Sequence, residues 1–566
     1  MRSSTRVVDH LVRAVSSLGV QHIFGVDGAN IEDLYDAAFD HRELITAVVA
    51  KHEFSAATMA DGYARSTAGL GVVCATSGGG CMNLVAGLAE AYASRVPVLA
   101  LVGQPPTVLE GKGAFQDSSG LAGSLDAVAL FGPISHYCAR VESPADLPAH
   151  LTRAVSAARR GGPAVLLLPK DIQQADLVAP AFVPPTRAYR RDIEALWRVR
   201  EEIRAARAIG KIVIIAGDQV ARDDARTELA RFAAVLDAAV GVAPDAKDVY
   251  HHGDPGFSGV SGSMGHPELP AALQNAALCL LVGTRMPVTA RAGLEDALAA
   301  VPSAALGLEP PFLPGSVYAR SNDLARTLTE LCGELDSGTA RSTVIPLRRR
   351  IPRDDAVTPL DVPSSAGPGL RYRDVVETIN AELPDGSDVF ADAGNTGAAV
   401  VHHLRLPRDS RFTVALGMGG MGYAFGAGIG SAFARQYLDD GDLRRTFVIA
   451  GDGAFFMHGM EIHTAVEHDL PVTFIVFNNN AHAMCITREQ LYYGDRYSFN
   501  RFRPAYPGAG IAAMFPDMCA YSPRTLSELA AAMRLCVGSP GPSFIAVDCD
   551  PDEIPPFTPF LTAPRR

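Results

Sequence analysis

The residues from 447 to 480, FVIAGDGAFFMHGMEIHTAVEHDLPVTFIVFNNN, constrain the fold of this chain more than any other stretch. Phe447 to Ala450 is an apolar run of buried-strand length, and Gly451-Asp452-Gly453 breaks it. An amphipathic stretch follows to about His468, and Pro471 to Phe477 is a second apolar strand. A right-handed β-α-β crossover sets the C-terminal ends of two parallel strands side by side. Asp452 then stands at one strand end and Asn478-Asn479 at its neighbour.

That juxtaposition offers hard oxygen ligands: the Asp452 carboxylate, the Asn479 amide oxygen and a backbone carbonyl just beyond. Magnesium takes such a set, completed by phosphate oxygens and water. Gly453 and Ala454 open a helix whose free N–H groups favour bound phosphate. The pattern points to a diphosphate held through a divalent metal. For GDG alone, a plain polar strand-to-helix turn remains the competing reading.

The 566 residues can hold two to four domains. A net charge of −12 argues against nucleic acid or an anionic membrane as partner. No apolar run reaches transmembrane length, and MRSSTRVVDHLVRAV lacks a signal-peptide core. Nine scattered cysteines without a CxxC fit free thiols in a reducing cytoplasm. Two proline-rich stretches, 176–190 and 338–370, divide the chain into parts of about 1–178, 190–338 and 368–566.

In the first part, Val7 to Leu18 is a helix stopped by Gly19. Strands are expected at Val20–Phe24, Leu44–Ala50, Gly71–Ala75 and Val96–Val102, with a small-residue helix after Glu53 and another from Met82 to Ala93. The alternation predicts α/β with a parallel sheet. The middle part has strands at Lys211–Ala216 and Leu278–Val282, each ending in glycine. In the third, a helix face from Tyr372 precedes the strand-and-turn DVFADAG (388–394), which repeats the opening of the first part and suggests an internal duplication. LGMGGMGYAFGAGIGSAFA (416–434) is glycine-rich, then helical.

The GDG and NN at this spacing resemble the motif of thiamine diphosphate (ThDP) enzymes. Lys51-His52-Glu53, MADGYAR, SGGGCMN (77–83), Ala114-Phe115-Gln116 and the glycine-rich segment from Leu416 narrow the likeness to the acetolactate (acetohydroxyacid) synthase branch. The resemblance implies three Rossmann-like α/β domains with parallel sheets: pyrimidine-binding, middle and diphosphate-binding. It implies that Asp452, Asn479 and the backbone of Ala481 bind Mg2+. It implies that Glu53 activates ThDP, and that Gly28, Asn83, Gly394, Asn395, Thr396, Gly419, Met421, Gly451, Gly453, Ala454 and residues 481–484 (Ala481, His482, Ala483, Met484) contact the cofactor. Met421 would wedge under its thiazolium ring. The activity implied is decarboxylation of a 2-ketoacid such as pyruvate and transfer of the acyl carbanion to a second carbonyl compound. Decarboxylase-type relatives carry adjacent histidines where this chain has Phe115-Gln116, so these two enter as catalytic candidates. A homodimer with sites shared between chains is the minimum unit implied, and a tetramer is a further expectation.

The chain departs from the branch in places. Arg488 replaces a tryptophan that shapes the acceptor pocket; it either binds the acceptor, pairs with Glu489 or faces solvent. GSMGH (262–266) and Gly283-Thr284-Arg285 resemble parts of an FAD site, but ALGLEPPFL (305–313) lacks its acidic strand end. FAD binding and a merely bracing middle domain both stay open, as do simple decarboxylation, flavin-dependent oxidation and an inactive regulatory role.

Overall fold

The computed structural model describes residues 5–336, 357–435, 443–497 and 499–562. They form three six-stranded parallel sheets with interleaved helices. The first runs Thr46–Val49, His22–Val26, Gly71–Ala75, Val98–Gln104, Pro163–Pro169, Tyr137–Arg140. The third runs Arg411–Val414, Asp388–Ala391, Thr446–Gly451, Val472–Asn478, Ser543–Asp548, Cys519–Tyr521. In each, the domain's second strand lies outermost, followed by the first, third, fourth, sixth and fifth. The expected duplication is visible as this shared order. The middle sheet runs Phe257–Val260, Ala239–Val242, Lys211–Ala216, Ala276–Val282, Ser303–Gly307, Val317–Arg320. That is the 3-2-1-4-5-6 order of dinucleotide-binding folds.

The central strands are buried on both faces, which is why they read as unbroken apolar runs rather than alternating ones. Several boundaries differ from expectation. The strands His22–Val26, Thr46–Val49 and Val98–Gln104 each begin two residues late. The amphipathic stretch after Asp452 is three pieces, Asp452–His458, a 3-10 turn Gly459–Glu461, and Ile462–Glu467. The expected SGGG loop already turns helical at Gly79–Asn83. Asp176–Leu177, read as linker, pairs antiparallel with Thr5–Arg6. Of the second linker, 337–356 lie outside the described residues, and 357–369 carry no helix or strand. Among the described residues no helix is long and apolar enough to cross a membrane.

The first and third domains clasp through two helices, Glu53–Thr67 and Tyr423–Ala434. Their backbones nearly touch because small residues face each other. A Cβ on Gly62 would stand 2.0 Å from the Ala427 carbonyl oxygen, and one on Gly430 would stand 2.0 Å from that of Met59. Buried polar pairs fix the register: Tyr423 donates to Asp61, and the Ser66 and Ser431 hydroxyls lie 2.7 Å apart. Gly430→Ala is therefore expected to destabilise the protein by about 2 kcal/mol or more through overpacking against backbone, although the same change in an exposed helix would stabilise by about 1 kcal/mol. Urea unfolding of the variant checks the sign.

Candidate active site

Two polar clusters stand at the C-terminal ends of the first and third sheets. In the first domain, Glu53 opens its helix just after strand Thr46–Val49, with His52 capping the Phe54 amide. Its side chain is 8% exposed, and Asn83 Nδ2 donates to Oε2 at 2.9 Å. Gly80 closes over Oε1; a Cβ there would stand 3.1 Å away. Gly28 packs on Thr76, whose hydroxyl donates to Gln116 Oε1 at 3.2 Å and accepts from the Asn30 amide. Gln116 holds the left-handed conformation at φ +59°. A non-glycine residue seldom adopts it outside functional or tightly determined turns. The structure thus gathers Glu53, Asn83, Gly28 and Gln116 in one pocket. Phe115 is 75% exposed and projects away from the core.

In the third domain, three helix N-termini meet: Asn395–His403, Asp452–His458 and Ala483–Tyr493. Thr396 Oγ1 lies 3.5 Å from where a Gly451 Cβ would be, and Asn395 Nδ2 donates to Thr487 Oγ1 at 3.4 Å. Gly394, at φ +97°, makes the turn into the first of these helices. Helix N-termini of this kind favour an anion. Glycine at 453 leaves room for its neighbours: a Cβ would lie 2.6 Å from the His482 ring and 3.1 Å from Met421 Cε, so both side chains would have to shift. Gly419 is left-handed at φ +66°. Ala454, Ala483 and Met484 lie in the first turns of their helices.

Strand alternation splits the asparagines. Asn478 Nδ2 turns to Asp548, whereas Asn479 Nδ2 donates to the Tyr372 hydroxyl at 2.8 Å; among the described residues Asn479 Oδ1 is buried without a hydrogen-bond partner, as Asn478 Oδ1 is on its own side. Asn480 takes φ +52°, which asparagine tolerates, and turns the chain so that the Ala481 amide donates to Asp452 Oδ2 at 3.3 Å. Burial pushes the Asp452 carboxyl up to about 6, against backbone donors that lower it. Among the described residues no Lys, Arg or His pairs with it. A buried carboxylate without a cation beside an orphaned amide oxygen fits a divalent metal, and the converging amides fit its diphosphate. Arg488 is exposed, its guanidinium 5.9 Å from the Phe560 ring centre, while Glu489 accepts from Asn500.

Sequence reasoning missed three supporting residues. Asp392 accepts from the Gly422 and Ala424 amides, both at 2.9 Å, and so fixes the turn that carries Met421. Burial raises its pKa to about 6. Tyr372 orients Asn479, and Glu553 accepts from the Tyr372 amide at 3.1 Å. An acid closing a strand before a glycine turn was the available signal for Asp392; Tyr372 and Glu553 come from remote segments and left none.

The middle domain's crevice is occupied by its own side chains. Asp218 sits at the first position of the helix after strand Lys211–Ala216, where a dinucleotide's pyrophosphate would lie, and is held by Arg95 and Arg222. Gln219, 3% exposed, accepts from the Leu308 amide and donates to the Ser321 carbonyl. A Cβ on Gly217 would stand 2.4 Å from Thr284 Cβ. These residues do not fit FAD in that crevice.

Residues 5–123, 198–304 and 392–547 match the N-terminal TPP-binding, central and C-terminal TPP-binding domains of thiamine pyrophosphate enzymes. The order and number of parts, with a diphosphate cradle in the last, define a ThDP-dependent enzyme. The chain belongs to the family of thiamine pyrophosphate enzymes, and it is similar in sequence to acetolactate synthases. It is 27% identical over 521 residues to the acetolactate synthase large subunit of Corynebacterium glutamicum, covering 87% of this chain and 78% of that one. It is 27% identical over 511 residues to an acetolactate synthase of Mycobacterium bovis, covering 86% and 78%. The crystal structure of benzoylformate decarboxylase from Polynucleobacter necessarius shares the fold, with a TM-score of 0.80 at 20% identity over 98% of this chain and 100% of that one.

Proposed function

We propose that the protein is a Mg2+-dependent carboligase: it decarboxylates a small 2-ketoacid, pyruvate before others, and joins the acyl unit to a second carbonyl compound. ThDP supplies the electron sink for loss of CO2. Asp452, Asn479 Oδ1 and the Ala481 carbonyl hold the metal, and the helix ends at Thr396 and Gly453 receive the diphosphate. Glu53 accepts a hydrogen bond from the pyrimidine ring, its second oxygen kept in place by Asn83. The observation that carries the carboligase reading is Gln116, strained and fixed on Thr76 beside the Glu53 pocket. An amide there orients a carbonyl without delivering a proton. The named activity of the relatives supports the same reading.

Glu53 and Asp452 are proposed to complete one another between two copies of the chain. Phe54, the next residue, stacks on His458 of its own third domain at 4.3 Å, and Glu53 points a helical step away toward Asn83. Exposed apolar side chains flank both clusters: Phe115 on one side, Phe456, Met457 and Met460 on the other. A partner copy would cover them.

One observation favours a second reading. His482 lies against Gly453, and an imidazole there can donate a proton, which suits simple decarboxylation to an aldehyde. A product assay decides. With ThDP, Mg2+ and pyruvate, acetolactate or acetoin is expected by NMR, and added carbonyl compounds should raise CO2 release. Acetaldehyde alone selects the decarboxylase. Absence of CO2 from pyruvate and from other 2-ketoacids sinks both readings.

A further inference from the structure

Lys247 is among the most deeply buried charged side chains, 1% exposed, and among the described residues no carboxylate pairs with it. It follows the turn Pro244–Ala246 of the middle domain. Its Nζ donates to the Val401 carbonyl and, at 3.5 Å, to that of Val400. Both carbonyls belong to the last turn of the helix Asn395–His403; the Leu404 amide already donates to the Val400 carbonyl at 3.1 Å, whereas the Arg405 amide turns to Asn380 Oδ1 and leaves the Val401 carbonyl to Lys247. Neighbouring contacts serve the same end. His266 Nε2 lies 3.1 Å from the His402 carbonyl oxygen, and His402 Nδ1 lies 3.0 Å from that of Met264. The GSMGH segment thus docks on this helix end.

We propose that Lys247 is a positioning residue for the diphosphate half-site: it pins, from the middle domain, the C-terminal end of the helix whose N-terminal end, Gly394-Asn395-Thr396, faces Gly451. The inference rests on reading that half-site as the diphosphate cradle. The helix is about 14 Å long. Its far end is therefore beyond contact range of any bound diphosphate, so Lys247 acts through the helix. Two effects add. Donors on the last carbonyls keep the final turn from fraying, so Thr396 and Asn395 hold their places without cofactor. A cation at the C-terminus offsets the negative end of the helix dipole, which otherwise opposes an anion at the other end. Burial and the nearby Arg405 pull the Lys247 pKa down to about 7, so the amine keeps donors for these carbonyls in either protonation state and adds charge when protonated.

The test uses the full-length protein with Mg2+ held constant. Lys247→Met is expected to raise the ThDP Kd, measured by calorimetry, about five- to tenfold. Turnover at saturating ThDP should stay at the wild-type level. Lys247→Gln, which keeps a donor, should fall between and carries the test should the methionine variant fold poorly. In cofactor-free protein, hydrogen exchange should quicken at amides 398–404 while strand Thr446–Gly451 stays protected. The cofactor-free wild type should already protect 398–404 as well as that strand, and rapid exchange there overturns the pinning outright. A wild-type Kd in both variants, or exchange that rises uniformly across the domain, also overturns it. Failure of the wild type to bind ThDP would instead strike the cradle reading, while the exchange comparison still judges the pinning.

Discussion

Asp452→Asn should bind ThDP with Mg2+ at least about 100-fold more weakly than the wild type. Groups that merely support a metal ligand cost 10- to 100-fold when removed, so loss of the one carboxylate in the set is expected to cost no less. The readout is ligand-induced stabilisation. At a ThDP concentration about 100 times Kd the wild type gains about 2.7 kcal/mol, and a 100-fold weaker variant keeps only about 0.4 kcal/mol of it. The cofactor-free proteins should behave differently. Asp452 is 1% exposed and, among the described residues, meets backbone donors but no cation, so its charge is poorly compensated until a metal arrives. An amide of the same shape should leave the cofactor-free melting temperature unchanged or higher. Equal ThDP stabilisation of variant and wild type would remove Asp452 from the metal site.

Glu53→Gln is expected to lower turnover by about 10²- to 10⁴-fold, the range of one positioned acid–base group. Binding should survive, because the metal and diphosphate contacts lie in the other cluster. The amide preserves the side-chain shape, though not the acceptor pair that Asn83 and the pyrimidine would share. Calorimetry should therefore show a ThDP Kd within a few-fold of wild type while product formation collapses. Wild-type turnover in the variant would refute the assignment.

Much of this organisation was legible in the chain. GDG and NN lie at the ends of strands that are adjacent in the third sheet, because apolar runs bounded by glycine leave little freedom in where a parallel strand stops. Asn479 was separable from Asn478 only by the motif; the structure supplies the reason, since successive strand residues face opposite sides. What stayed hidden was support from a distance. Tyr372, Glu553 and Lys247 act through contacts between segments remote in sequence, and single side chains of this kind leave no periodic trace. The middle domain misled in another way. Its glycine-ended strands suggested a dinucleotide crevice, but nothing local announced that Asp218 and Gln219 would fill it. Arg488 was left among three roles, and its place over Phe560 depends on the far C-terminal segment.

The clasp between the first and third domains bears on how the protein is made. Ser66 meets Ser431 across 365 residues of chain. At a synthesis rate of about 5–20 residues per second, the helix Glu53–Thr67 waits roughly 20 to 70 s before its partner helix exists. Throughout that interval the glycine- and alanine-lined face of Glu53–Thr67 is wet. The protein's yield in a cell thus depends on how well a half-finished chain tolerates waiting, a kinetic demand separate from the stability of the finished fold.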